Sequence, residues 1–194
     1  VSGDVRLSTD RLKKDFIKGV LSVGLDVVDI GTVPTPINYF SNYCSDIKVD
    51  GSVQITGSHN PSEYNGFKFT LQKKPFFAGE IQQLYNIMIS HNNDESSDEI
   101  LEGRGVVKDI IPIYINDIIG RIKINRKMRV IMDCGNAAGA IVAPQIFKKL
   151  GIEIKELYCD IDGTFPNHHP DPTVDSNLNK IIQEIKDDGD FDLG

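Results

Sequence analysis

Residues 56–69, TGSHNPSEYNGFKF, put a serine, a histidine, an asparagine and a lysine within one hairpin-sized segment. A serine that carries or attacks a chemical group needs an exposed hydroxyl, a backbone that aims it, and a proton acceptor or cation close by. Gly57 permits a sharp exit from the preceding strand and Pro61 fixes the backbone on the far side, so Ser58 is predicted to sit between two restraints. Asn60 can hold a local turn or bind a phosphate oxygen. The pair Asn65-Gly66 tolerates positive φ and is predicted to reverse the chain, returning the next strand toward Ser58. Side chains alternate along that strand, so if Phe67 and Phe69 face the core, Lys68 faces the loop and its cation can meet a phosphate. A polar loop followed by a solvated strand lysine is the other reading of the same residues, and their spacing leaves both open.

Such a loop is useful only if elements on either side hold it. Ser8 is placed as an N-cap, and Leu12, Phe16, Ile17, Val20 and Leu21 recur on one helical face that closes at Gly24. A strand is predicted at DVVDI, a short helix over residues 37–44, and a strand buried on both faces at GSVQIT, which leads into the serine loop. A further helix spans about residues 79–90. The run SHNNDESSDEILEGRG that follows is polar and marks the expected domain boundary. Beyond it come a helix at DIIPIYINDIIGRI with Pro112 in its first turn, a strand at MRVIMD, a helix at AAGAIVAPQIFKKLG and a strand at IEIKELY. The expected fold class is therefore α/β: two three-layer α/β/α domains, residues 1–106 and 107–194, with mixed, largely parallel sheets.

Composition restricts the partners. With a net charge of −7 in 194 residues and no basic cluster, neither nucleic acid nor an anionic membrane is an expected partner, and a small molecule is. No run approaches the roughly 20 apolar residues that span a bilayer. Three widely spaced cysteines without a CxxC pair argue against a disulfide framework or structural zinc, and fit a reducing cytoplasm. His168 and His169 are adjacent in a loop stiffened by Pro166, Pro170 and Pro172, where a metal site is not expected. The sequence starts at Val1 without Met and stops at DFDLG, so it is read as an internal piece of a longer polypeptide, truncated at both ends.

The serine loop resembles the phosphoserine loop of the α-D-phosphohexomutase family, closest to its phosphomannomutase/phosphoglucomutase branch. The likeness runs in order along the chain, through SGDVRLST, DIGTVPTPINYF, IMDCGNAAGAIVAPQIFKKLG and DGTFPNHHPDP. It implies that Ser58 is phosphorylated and donates the phosphoryl group, that His59 and Asn60 flank that group, and that Lys68 is a general acid/base. By the same likeness, Arg6 lies near the loop as a substrate- or phosphate-binding residue, with a surface salt bridge as its alternative. The implied reaction interconverts hexose 1-phosphate and hexose 6-phosphate of mannose or glucose, through a hexose 1,6-bisphosphate that also serves as activator.

The implied cofactor is Mg²⁺ on the phosphate of Ser58, with its aspartate ligands in a DGDxDR loop expected beyond Gly194. The run DDGDFDL is not that loop, because Leu193 stands where the motif needs arginine. Domains three and four of the same polypeptide, which read the sugar and bind its phosphate, are likewise expected outside this stretch, and the stretch alone is expected to be inactive as a mutase. Two alternatives remain. Phosphoglucosamine mutases more often have alanine where Gly57 stands, and a non-catalytic scaffold of the same fold would not need Ser58, Asn60 and Lys68. Ala137 departs from the family's usual glycine at that place in the loop after β-strand MRVIMD.

Overall fold

The computed structural model describes residues 1–91 and 102–194; most of the polar run expected as the boundary lies outside them. Eight strands and six α-helices are placed among the described residues. In chain order these are β1 (Ser2–Gly3), α1 (Thr9–Ser22), β2 (Val27–Asp29), α2 (Thr35–Ser41), β3 (Gly51–Ile55), β4 (Phe67–Leu71), β5 (Lys74–Phe76) and α3 (Gly79–His91). They continue as β6 (Gly105–Val107), α4 (Ile111–Arg121), β7 (Arg129–Asp133), α5 (Ala143–Lys149), β8 (Glu153–Leu157) and α6 (Asn179–Asp187).

The first unit is a mixed sheet. β1 runs parallel to β3, while β3, β4 and β5 form an antiparallel meander. β2 runs parallel to β6. A parallel bridge between Gly3 and Thr32, together with the Ile30 N–H bonding to the carbonyl of Val1, sets the continuation of β2 against β1. The order across the unit is thus β6-β2-β1-β3-β4-β5. The expected division after residue 106 falls within β6, which hydrogen-bonds into this first sheet. In the second unit β7 and β8 are parallel, and Leu193 bridges Val130 on the other side of β7. Two α/β units with mainly parallel pairing are what the alternating pattern predicts.

The predicted helices form, with two instructive shifts. α1 turns the half-buried Leu12, Phe16, Ile17, Val20 and Leu21 to one side, as their spacing requires. α2 starts at Thr35 rather than Ile37 because Pro36 fits its first turn, where no N–H is needed. The single helix expected over AAGAIVAPQIFKKLG is instead a 3₁₀ turn, Ala138–Ile141, followed by α5. Pro144 causes the break: it has no N–H to bond the carbonyl of residue 140 and its ring would clash there, so a continuous helix is interrupted and Pro144 is accommodated in the first turn of α5.

One apolar cluster ties the units together. Ile30, Val33, Ile37 and Ile47 from the first pack with Ile110, Ile115, Val142 and Ile146 from the second. Behind the serine loop lies a buried polar layer, in which the Ser2 hydroxyl donates to Gln54 Oε1 at 2.6 Å and Asn38 Nδ2 donates to Ser2 Oγ at 2.7 Å. Gln54 Nε2 in turn donates to the Val33 carbonyl. Paired buried polar groups of this kind fix one arrangement of β1, β3 and α2, because breaking any bond leaves a desolvated group unsatisfied. Among the described residues no helix is long and apolar enough to cross a membrane.

Candidate functional site

Ser58 lies just past the end of β3, after Thr56 and Gly57, and the peptide chain bends there: Ser58 itself has φ of 54°, a left-handed conformation uncommon outside glycine. The Ser58 N–H donates to Thr56 Oγ1 at 2.9 Å, and the Thr56 hydroxyl donates to Asp4 Oδ2 at 2.7 Å. Asn60 N–H closes the turn on the Gly57 carbonyl at 3.0 Å. Ser58 remains exposed, so its hydroxyl is open to a partner.

Lys68 arrives from β4, which pairs antiparallel with β3 and sets Lys68 opposite Gln54. Phe67 and Phe69 stack with centroids 6.2 Å apart and both pack on Phe16 of α1. With the aromatic side committed to that cluster, Lys68 projects toward the loop. Its Nζ lies 3.5 Å from Ser58 Oγ, at the outer limit of hydrogen-bond distance. The serine hydroxyl and the lysine ammonium of the segment therefore lie side by side.

The hairpin between them is not built as its residue types suggest. Neither Asn65 nor Gly66 adopts positive φ. Instead Asn65 Nδ2 donates to Ser8 Oγ at 3.0 Å and to Thr9 Oγ1 at 2.9 Å, while its Oδ1 accepts the Gly66 N–H. Asn65 is an anchor to the start of α1. Ser8 correspondingly makes no cap bond to α1, although it holds the N-cap position.

Arg6 is 3% exposed and lies beneath the loop. Its Nε donates to Asp4 Oδ2 at 3.0 Å, Nη1 to the carbonyls of Pro61 and Tyr64, and Nη2 to those of Ser58 and Asn60, both at 2.8 Å. A guanidinium has five N–H donors, and all are engaged. The expected phosphate ligand thus has no donor left for a phosphate; the structure places it as the strut that shapes the loop. The alternative of a surface salt bridge fails too, because the Asp4 contact is buried. Gly57 makes this possible, since a Cβ there would come within 2.5 Å of Arg6 Cζ and 2.6 Å of the Tyr64 carbonyl oxygen.

Asn60 is exposed, and its side chain has no hydrogen-bond partner among the described residues, which leaves both amide groups for a ligand. The His59 ring is 59% exposed, with Nδ1 3.7 Å from Asp171 Oδ1 across the cleft. Asp171 is held below the usual carboxylate range first by the Thr173 hydroxyl and then by the Thr173 N–H, with His59 and His169 adding positive potential. It faces His59 as a carboxylate.

A cavity of about 270 Å³ opens between the units, lined by Arg6, Ser58 and His59 on one wall and by Ala137, Phe165 and Pro170 on the other. Ala137 follows Asn136, which has φ of 57° and is fixed by its Nδ2 donating to the Asp160 carbonyl and its Oδ1 accepting from Asn167 Nδ2. This side-chain clamp shapes the loop that the alanine left in question. The acidic run before Gly194 is engaged elsewhere: Asp188 pairs with Arg129, and Asp192 with Arg126. Among the described residues no three His, Cys, Asp or Glu side chains are grouped to hold a metal ion.

Sequence reasoning missed Asp4, Thr56 and Asp171, and named His169 only as part of a proline-stiffened loop. Asp4 had a signal, because an acid two residues before an arginine in a tight segment can grip its Nε. Thr56 had one too, since a threonine hydroxyl can accept the N–H two residues on, whereas Asp171 reaches His59 across a long sequence separation and carries no local mark.

The family described as phosphoglucomutase/phosphomannomutase, alpha/beta/alpha domain I, matches residues 1–95, and its domain II matches residues 112–194. The chain is 39% identical over 194 residues to a phosphomannomutase/phosphoglucomutase of Pseudomonas putida, covering 100% of this chain and 40% of the relative. It is 40% identical over 193 residues to a phosphoglucomutase of Neisseria meningitidis, again spanning 40% of that relative's length. A crystal structure of a phosphoglucomutase/phosphomannomutase family protein from Burkholderia thailandensis superposes with a TM-score of 0.88 at 37% identity, over 97% of this chain and 42% of the other.

Proposed function

Because this chain belongs to the phosphoglucomutase/phosphomannomutase family, and spans about 40% of its curated relatives' length, we propose that it carries the phosphoryl-transfer half of a phosphohexomutase. The observation that supports this reading is the exposed Ser58 hydroxyl with the Lys68 ammonium 3.5 Å away. In the reaction proposed, phosphorylated Ser58 gives its phosphoryl group to the free hydroxyl of a hexose 1-phosphate. The P–O bond to serine breaks as the bond to the sugar oxygen forms. The resulting hexose 1,6-bisphosphate turns over, and its other phosphoryl group returns to Ser58, leaving hexose 6-phosphate.

Phosphoryl transfer needs in-line positioning and neutralisation of oxygen charge more than covalent help from the protein. The strut of Arg6 and the Thr56 contact fix where the serine oxygen points. Lys68 supplies the cation: a unit charge at about 4 Å contributes roughly 1 kcal/mol in water and about 4 kcal/mol at an effective dielectric of 20. Lys68 also gives a proton to Ser58 Oγ as the phosphoryl group leaves, the attacking sugar hydroxyl gives up its proton to solvent, from which Lys68 is reprotonated, and return of the phosphoryl group to Ser58 runs these transfers in reverse. Asn60 can donate to a phosphoryl oxygen, and His59 lines the same wall. Mg²⁺ would add charge neutralisation at the phosphoserine. The described residues include no cluster of His, Cys, Asp or Glu side chains that would hold it.

The substrates are proposed to be mannose or glucose phosphates, in keeping with the names of the relatives. In the full-length protein, Ser58→Ala is expected to abolish mutase turnover, and Lys68→Met to lower kcat by about 10²-fold or more, the usual scale of acid/base assistance. A coupled assay on mannose 1-phosphate and glucose 1-phosphate measures both. Turnover of the Ser58→Ala protein within tenfold of the parent would sink the reading.

A further inference from the structure

The carbonyls of the serine loop are tied down one after another. Arg6 takes those of Ser58 and Asn60, and the intervening carbonyl, that of His59, accepts a hydrogen bond from His169 Nε2 at 2.5 Å. His169 belongs to the second unit, 110 residues away in sequence. The same segment reaches the first unit at three more places. Phe165 lies under the Arg6 guanidinium, with Cζ 5.2 Å from the ring centroid. Asp171 faces the His59 imidazole. Gly163 lies so close to the Val5 carbonyl that a Cβ would come within 2.2 Å of its oxygen.

We propose that His169 is a positioning residue for phosphoryl transfer: from across the cleft it fixes the His59 peptide and so sets the orientation of Ser58 Oγ toward Lys68. The inference rests on the phosphoserine reading above and adds a role for the second unit in it. His169 itself touches no reacting atom. Its own anchorage is rigid, because the preceding His168 places Nε2 3.1 Å from both oxygens of Asp133, and Asp171, two residues on, accepts from the N–H and hydroxyl of Thr173. Prolines at 166, 170 and 172 remove further freedom from the segment. Ser58 has φ of 54°, outside the favoured regions for serine, so its conformation must be imposed by its surroundings. Arg6 alone holds the flanking carbonyls. His169 supplies the remaining restraint at the peptide between them.

The test uses the full-length protein and glucose 1,6-bisphosphate as the phosphoryl donor, following uptake at Ser58 by intact mass over time, with kcat and KM measured alongside. Removing the donor in His169→Ala is expected to slow Ser58 phosphorylation and lower kcat by between about 10- and 100-fold, the scale of a misplaced reacting group, with KM changed less than about twofold. His169→Gln, which keeps an N–H donor, is expected to recover most of the loss, whereas a merely structural defect would lower both variants together with their melting temperatures. If His169→Ala takes up phosphoryl at the parental rate, the positioning role is overturned. If the parent protein takes up none at Ser58, the phosphoserine reading is overturned and this inference with it.

Discussion

Arg6 is the residue on which the serine loop depends. A buried guanidinium is tolerable only when every donor is paired and its charge is compensated, and here Asp4 and four loop carbonyls do both. The loop in turn has no regular ladder of its own, so Arg6 acts as its template. This predicts a sharp sensitivity at Gly57. A methyl group added there must displace either the guanidinium or the Tyr64 carbonyl, and Gly57→Ala is expected to cost about 1–3 kcal/mol of stability, the usual range for overpacking. Thermal melting checks the stability, and the rate of phosphoryl uptake at Ser58 is expected to fall with it. Arg6 was readable as a residue of the site, but its role was not. A sequence gives the charge and its place in the chain; whether a phosphate or a set of carbonyls uses that charge depends on which groups fold around it.

At the scale of elements, the hairpin of β3 and β4 builds the candidate site, because antiparallel pairing brings residue 68 back beside residue 58. Alternation along FKF made this legible: two phenylalanines committed to the Phe16 side leave the lysine one direction. The face of α1 was legible for the same reason, since period fixes side. Less legible were features in which a polar side chain had several possible partners. Asn65 looks like a turn former and is instead bonded to Ser8 and Thr9, and the proposed helix around Pro144 divides because proline geometry overrides apolar spacing. A separate element contact governs acid sensitivity. Glu184 of α6 bonds to Lys155 of β8 and Lys180 of its own helix, which lower its pKa to about 2 from 4.5. A depressed folded-state pKa contributes stability that is present above the unfolded value and lost as pH falls through the folded one. Stability is therefore expected to decline between about pH 4.5 and 2 partly through this group. Glu184→Gln should flatten that part of the acid melting curve, and an unchanged slope would remove Glu184 from the account.

Over the whole molecule, the two α/β units share an apolar cluster and face each other across the cavity beside Ser58. The alternating α/β pattern made the two-unit architecture readable, whereas the contacts across the cleft were not, because His59 and His169 lie 110 residues apart and nothing local links them. Those contacts give the second unit a part in aiming a residue carried by the first. The reading of Ser58 as a reversible phosphoryl carrier is tested most directly by incubating the full-length protein with glucose 1,6-bisphosphate, then measuring intact mass and mapping the modified peptide. One added phosphoryl group located on Ser58, and removed when excess hexose 1-phosphate is supplied, is the predicted result. A Ser58 that stays unmodified while the protein turns substrate over, or a phosphoryl group found on another residue, would contradict it.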